Sequence, residues 1–242
     1  MRNYLLTLVA SSTLFCTLVA CGADVPTEKT ITINQDDLKP LHLEYKVWID
    51  PKQKFVVMDG EVCLTRGSLE MFACLKNSKE HESIVAVKTE AKVVHAGLLA
   101  VGAKVGTPSQ FRPEYKPATG HEIDIYVLWT DAQGKPQQTK AQNWIRDTKT
   151  KKEMAYPWVF AGSGFWKDDV GKEHYRAESG DFICVSNFPG AMLDLPIHSS
   201  DQNDDLNFEA MTEKIPEKGT KVKLVLIPKP VVDVKNEKKE EK

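Results

Sequence analysis

Hydrophobic and polar residues alternate along most of the chain between residues 43 and 227, with period two. That period belongs to half-buried strands. Residues 43–49 alternate as Leu-Glu-Tyr-Lys-Val-Trp-Ile, Asp50-Pro51-Lys52-Gln53 supplies a turn, and residues 55–58 read as the return strand. Asp59-Gly60 predicts a further turn or bulge before residues 62–64. Arg66-Gly67 then separates that run from residues 69–75, and residues 83–87 form the next strand. Residues 122–129 alternate strictly, with Ile123, Ile125, Val127 and Trp129 on one face and a hairpin loop at 131–135. Shorter strands are expected at 158–160, 182–186, 207–211 and 222–227. Only one segment carries a helical stripe. Ala91, Val94, Leu98 and Val101 share a face, Thr89-Glu90 opens the run and Gly102 closes it. The pattern predicts an α+β fold, predominantly antiparallel β with one central α-helix, in a single compact domain.

Both ends depart from this pattern. Residues 1–20 hold one charge, Arg2, followed by an apolar run from Tyr4 to Val19. The run is short for a membrane span and has the plan of an export signal. It ends Leu18-Val19-Ala20-Cys21-Gly22, which resembles the lipobox of bacterial lipoproteins. That resemblance implies cleavage before Cys21 and lipid on its sulfur. Cys16 is preceded by bulky Leu14 and Phe15 and competes poorly. Each buried CH₂ contributes about 0.8 kcal/mol, so two or three acyl chains anchor a protein firmly. The expected location is the cell envelope, and Gly22 in place of Asp favours the outer membrane by analogy with enteric bacteria. Residues 21–40 read as the lipidated Cys and a polar tether, with one short strand at 30–33. Residues 229–242 carry nine charges and no aromatic, a composition that cannot bury enough apolar surface to order itself. The folded body is therefore 41–228.

Composition adds boundaries rather than an activity. The chain has 242 residues and a net charge of -2, which argues against nucleic acid as a partner. Five Cys are present. After Cys16 leaves with the signal and Cys21 takes lipid, Cys63, Cys74 and Cys184 are left. Three thiols without a Cys-x-x-Cys spacing exclude an iron-sulfur cluster in one chain. They allow one disulfide, with Cys63 and Cys74 the candidate pair. A two-residue turn at Arg66-Gly67 would set Cys63 opposite Glu70 and Cys74 opposite Asp59, which argues against that bridge. Buried apolar thiols are the alternative.

His81, Glu82 and His95 are the candidate metal or ligand site, since two imidazoles and a carboxylate suit zinc with an open position. Neighbours on a strand point to opposite faces, so His81 and Glu82 cannot both face His95 there. The alternative has His95 bonded to a backbone carbonyl and Glu82 serving a turn. Residues 201–206 supply acids and amides at calcium-loop spacing, but Leu206 and Thr212 stand where Gly and Glu belong. Ser163 stands between Gly162 and Gly164, but a nucleophile elbow needs Gly at 161 and 165, where Ala161 and Phe165 stand. The aromatic run from Pro157 through Trp166 reads either as a binding platform or, through Trp158 and Phe160, as core.

Two stretches resemble a known family. One combines Lys79-Glu80-His81-Glu82-Ser83-Ile84-Val85 with Val94-His95-Ala96-Gly97-Leu98-Leu99. The other runs from Pro157-Trp158-Val159-Phe160 through Cys184-Val185-Ser186-Asn187 to Leu193-Asp194-Leu195-Pro196. Together they resemble the YdjY-domain proteins, in particular the lipoprotein-like versions of planctomycete bacteria. Some members are labelled ferredoxin-like for an extra Cys cluster that this sequence lacks, and the resemblance carries no activity over. The expected function is a non-enzymatic, lipid-anchored envelope protein that binds a protein partner or small ligand, with no cofactor besides the lipid. The alternative is a metal-binding or redox-accessory protein using His81, Glu82, His95 and Cys184.

Overall fold

The computed structural model describes residues 29–42, 44–200, 202 and 205–230. Cys21, the export signal, most of the acidic run at 201–205 and the charged tail beyond Pro230 lie outside the described residues. The chain divides into two units, Met1–Thr30 and Ile31–Lys242; the second holds every described element.

Among the described residues, that unit has fourteen strands and one α-helix. In chain order the first strands are β1 (Lys39–Pro40), β2 (Val47–Asp50), β3 (Phe55–Val62), β4 (Met71–Leu75) and β5 (Ser83–Val87). Helix α1 (Ala91–Ala100) follows. Then come β6 (Glu122–Thr130), β7 (Pro136–Lys140), β8 (Ile145–Asp147), β9 (Trp158–Val159), β10 (Phe165–Lys167) and β11 (Glu173–Tyr175). The last are β12 (Ile183–Cys184), β13 (Phe208–Ala210) and β14 (Lys221–Pro228). The main sheet runs β12-β4-β5-β3-β14-β6-β7, with β2 on the first half of β3 and β9 at the start of β6. All its pairs are antiparallel except β4 with β5. Two small antiparallel pairs, β10-β11 and β13-β8, stand apart from it. The β-rich, one-helix expectation is met.

Alternation explains the two-faced sheet. Ile123, Ile125 and Val127 of β6 enter the main core with Leu224 and Leu226 of β14, and Trp129 packs at its margin. The intervening Tyr126 and Val225 turn to the opposite face, where Phe55, Val57 and Ile31 cover them. Each fully buried Leu or Ile there contributes about 1.5–3 kcal/mol. Helix α1 lays Ala91, Val94 and Leu98 into the main core. Gly97 allows the close approach: a Cβ there would lie 2.6 Å from Leu41 Cδ1 and 3.2 Å from Val56 Cγ2.

Three expectations are corrected. Asp59-Gly60 makes no turn; both residues lie inside β3, Gly60 facing Val87 of β5. Residues 62–64 and 69–75 do not form a hairpin, because β5 inserts between β3 and β4 and takes β4 in parallel. The segment at 30–33 forms no strand, and the part of the expected tether from Ile31 onward packs onto the domain. Ile31 is in the apolar cluster, its N–H donates to Gln138 Oε1 at 2.9 Å, and Lys39–Pro40 pairs with β2.

Candidate functional site

The β10-β11 hairpin is built by two turn signals. Asp168 Oδ1 accepts from the N–H groups of Val170 and Lys172 at 3.1 and 2.8 Å, and Gly171 takes φ +79°. Register pairs Phe165 with Tyr175 and Trp166 with His174. Their rings stack across the strands at 5.1 and 4.8 Å. Yet Phe165 is 60% exposed, Trp166 44% and Val170 86%. As strand neighbours, Phe165 with Tyr175 and Trp166 with His174 lie on opposite sides of the ribbon, so the apolar patch that adjoins Tyr175 is that of Phe165.

The patch continues onto the body through His95. Its Nδ1 bonds the Tyr175 hydroxyl at 2.8 Å, and that hydroxyl donates to the Gly162 carbonyl at 3.1 Å. Its ring meets Phe160 and Tyr175 edge-on, at 4.8 and 5.5 Å. Burial lowers the His95 pKa and raises that of Tyr175, so both stay neutral near pH 7. Gly162, at φ +85°, is the joint: a Cβ there would lie 1.9 Å from Val105 Cγ2 and 3.7 Å from His95 Cε1. Val105, 49% exposed, thus carries the apolar surface away from His95, and exposed Leu99 stands one helical turn along from His95. Val105 also lines an open groove of about 540 Å³ with Lys104, Gly120, His121, Glu122 and Lys229.

The base of the hairpin is clamped to α1. Glu178 accepts from the backbone N–H groups of Ala91 and Lys92 at 3.1 and 3.0 Å. A carboxylate at a helix N-terminus satisfies orphan donors and complements the dipole. The helix is capped from 87 residues away, since neither Thr89 nor Glu90 caps it. Ser163 Oγ reinforces the joint, accepting from Ala177 N–H at 3.1 Å and donating to the Gly190 carbonyl at 2.7 Å.

The predicted metal residues are placed differently. His81 is largely exposed, with Nε2 3.7 Å from Glu82 Oε2. Glu82 shares the Lys79 ammonium with Glu70 and Asp181, at 3.6, 3.7 and 3.1 Å. Burial works against the Lys79 charge, but the three acids hold its pKa above the ordinary value. Glu70 is pushed up by burial and by Glu82 beside it. His95 spends its bond on Tyr175, a hydroxyl rather than the expected carbonyl. Among the described residues, no three His, Cys, Asp or Glu side chains are grouped to hold a metal ion.

A second polar cluster was not singled out by sequence reasoning. Asp194 is buried, and its Oδ1 accepts from Asn187 Nδ2 and Leu195 N–H at 3.1 and 2.8 Å. Asn187 Oδ1 accepts from the backbone and hydroxyl of Ser199. Asp194 Oδ2 takes no hydrogen-bond partner, and burial pushes the carboxyl up to about 7. Asp194, Asn187, Ser186 and Ser199 are all sealed from solvent, so this network fastens the 186–199 segment. The aromatic run divides likewise. Trp158 and Phe160 are buried core, whereas Phe165 and Trp166 are exposed.

Comparison with known proteins gives a family. A family model, the YdjY domain, matches residues 47–227. No curated protein matches the chain, and no solved structure does. The matched span runs from β2 to β14 and contains the helix, the hairpin and the Asp194 network, and the chain belongs to the YdjY-domain family.

Proposed function

We propose that this chain is a lipid-anchored cell-envelope protein that binds an apolar segment of an envelope partner against its β10-β11 hairpin, without catalysis. One observation carries the reading: a hairpin tied to α1 at its base exposes Phe165 on one side, Trp166 on the other and Val170 at its tip. Aromatic anchors on a preorganised element are what binding hot spots are made of. Leu99 and Val105 extend the apolar surface toward the groove beside Glu122 and Lys229. Glu122 and Lys229 already neutralise each other there, paired at 2.8 Å. The anchor rests on the lipobox sequence ending at Cys21.

Photo-cross-linking in intact cells tests the docking face. A benzophenone side chain at position 166 is expected to give a discrete adduct that the same probe at exposed Lys218 does not give. Combined Phe165→Ser and Val170→Ser changes are expected to abolish it. No adduct at 166, or the same pattern from both positions, overturns the docking face. Cys21→Ser is expected to release the protein from the membrane fraction; retention there overturns the anchor.

A further inference from the structure

The two sides of the β10-β11 ribbon differ in charge. Phe165, Lys167, Glu173 and Tyr175 share one side, where Lys167 faces Glu173 in register and the charges balance. The base of that side is closed, with Tyr175 buried and bonded to His95. Trp166 and His174 share the other side. Two positions before and after His174 stand Lys172 and Arg176, both exposed. Arg176 N–H donates to the Gly164 carbonyl at 2.8 Å, which prolongs the ribbon by one pair. A Cβ on Gly164 would lie 3.7 Å from Arg176 Cδ and 3.8 Å from its Nε. The Arg176 side chain therefore runs over Gly164 on the Trp166 side, within the diagonal reach of long side chains across a strand pair.

Among the described residues, neither the Arg176 guanidinium nor the Lys172 ammonium has an ion pair or a hydrogen bond. The acids around them are committed elsewhere. Asp168 bonds His174 Nε2 at 2.7 Å and accepts from the N–H groups of Val170 and Lys172. Glu178 caps α1, and Asp181 pairs with Lys79 at 3.1 Å. The Trp166 side thus presents two uncommitted cations with an exposed ring between them.

We infer that the partner segment docked on this hairpin is acidic, with two carboxylates flanking an apolar side chain at alternate positions. The inference rests on the docking reading above. An extended segment sends every second side chain to one side, and Lys172, His174 and Arg176 repeat at that spacing. The apolar side chain lies on the Trp166 ring, which is 44% exposed and braced by the His174 ring stacked at 4.8 Å. Arg176 takes one carboxylate through its planar fork, and Lys172 takes the other as a point charge. Single exposed ion pairs add little affinity, but two unpaired cations on one side select the sign of the partner and speed its encounter.

The test places a benzophenone side chain at position 170 of the full chain in intact cells and measures the yield of its adduct. Combined Lys172→Gln and Arg176→Gln changes are expected to cut the yield about tenfold. Lys167→Gln, a loss of charge on the opposite side, is expected to leave it within about twofold. Unchanged urea midpoints are expected for these variants, and Arg176→Lys is expected to retain more adduct than Arg176→Gln. Mass spectrometry of the adduct is expected to find carboxylates two positions either side of an apolar residue. Changing those carboxylates to Lys in the partner is expected to restore the yield against Lys172→Glu with Arg176→Glu, which decides the matter independently of any single variant. An adduct indifferent to the Lys172 and Arg176 changes, an equal loss with Lys167→Gln, a cross-linked segment without acids, or no recovery in the charge swap overturns this inference alone. No adduct at 170 with every cation in place overturns the docking reading and this inference with it.

Discussion

Trp158 and Trp166 stand eight residues apart in one aromatic stretch, and the fold treats them as opposites. Trp158 is wholly buried, packs against Phe72 at 5.7 Å and donates its indole N–H to the Cys184 carbonyl at 2.8 Å. Trp166 lies 44% exposed on His174. Residue type does not separate them; backbone pairing does. Strand β9 joins β6 of the main sheet, so its side chains enter the core. Among the described residues, strand β10 pairs only with β11, and it follows Ala161, the last buried apolar residue before the hairpin. The sealed region holds its aromatic for stability, and the open hairpin presents its own to whatever docks there.

That contrast can be broken at graded cost. Trp158→Ala removes a large core side chain and leaves the Cys184 carbonyl unpaired. An expected loss of about 4–5 kcal/mol follows, read from the midpoint of urea unfolding. Asp194→Asn comes next and tests the sealed region by pH. The folded state holds the Asp194 proton up to about pH 7, whereas a free carboxyl releases it near 3.8. Stability from this group is complete below about pH 4, drains away as pH rises and is gone above about 7. The variant is expected to lose that decline, so that the gap between the two proteins changes by on the order of 3 kcal/mol from pH 4 to 8. A gap that is constant with pH means that Asp194 ionises freely. Trp166→Ala is the smallest, with an expected change within about 0.5 kcal/mol. A loss matching that of Trp158→Ala would erase the distinction between the regions.

Most of the strand and helix positions were legible because their apolar periodicity is local. Residues 83–87, 91–100, 122–130 and 221–228 carry strong patterns and fold as those patterns indicate. Strand β7, Pro-Gln-Gln-Thr-Lys, was not named as a strand because it has no apolar side chain, although the hairpin loop before it pointed to a return. Pairing order was the harder matter. Arg66-Gly67 looks like a hairpin turn, but the partner of β3 is β5, about 25 residues downstream, and no local signal carries that choice. The hairpin register that argued against a Cys63–Cys74 bridge does not form; β5 stands instead between β3, which leads into Cys63, and β4, which carries Cys74. Legibility of the candidate site was partial. The aromatic cluster was visible, but its division into buried and exposed halves depends on β9 pairing with β6. Val170 and Leu99 carried no signal at all, since exposure is a tertiary property. Glu178, as the cap of α1, is equally non-local.

The position of β14 has a consequence for how the protein comes into being. The last described strand lies inside the sheet, hydrogen-bonded to β3 on one side and β6 on the other. Until residues 221–228 emerge from the machinery that makes or moves the chain, β3 and β6 each present an open row of donors and acceptors. The core face of Leu224 and Leu226 does not yet exist. Completion of the sheet therefore waits on residues 221–228. A stop before Lys221 would leave β3 and β6 without the strand that joins them.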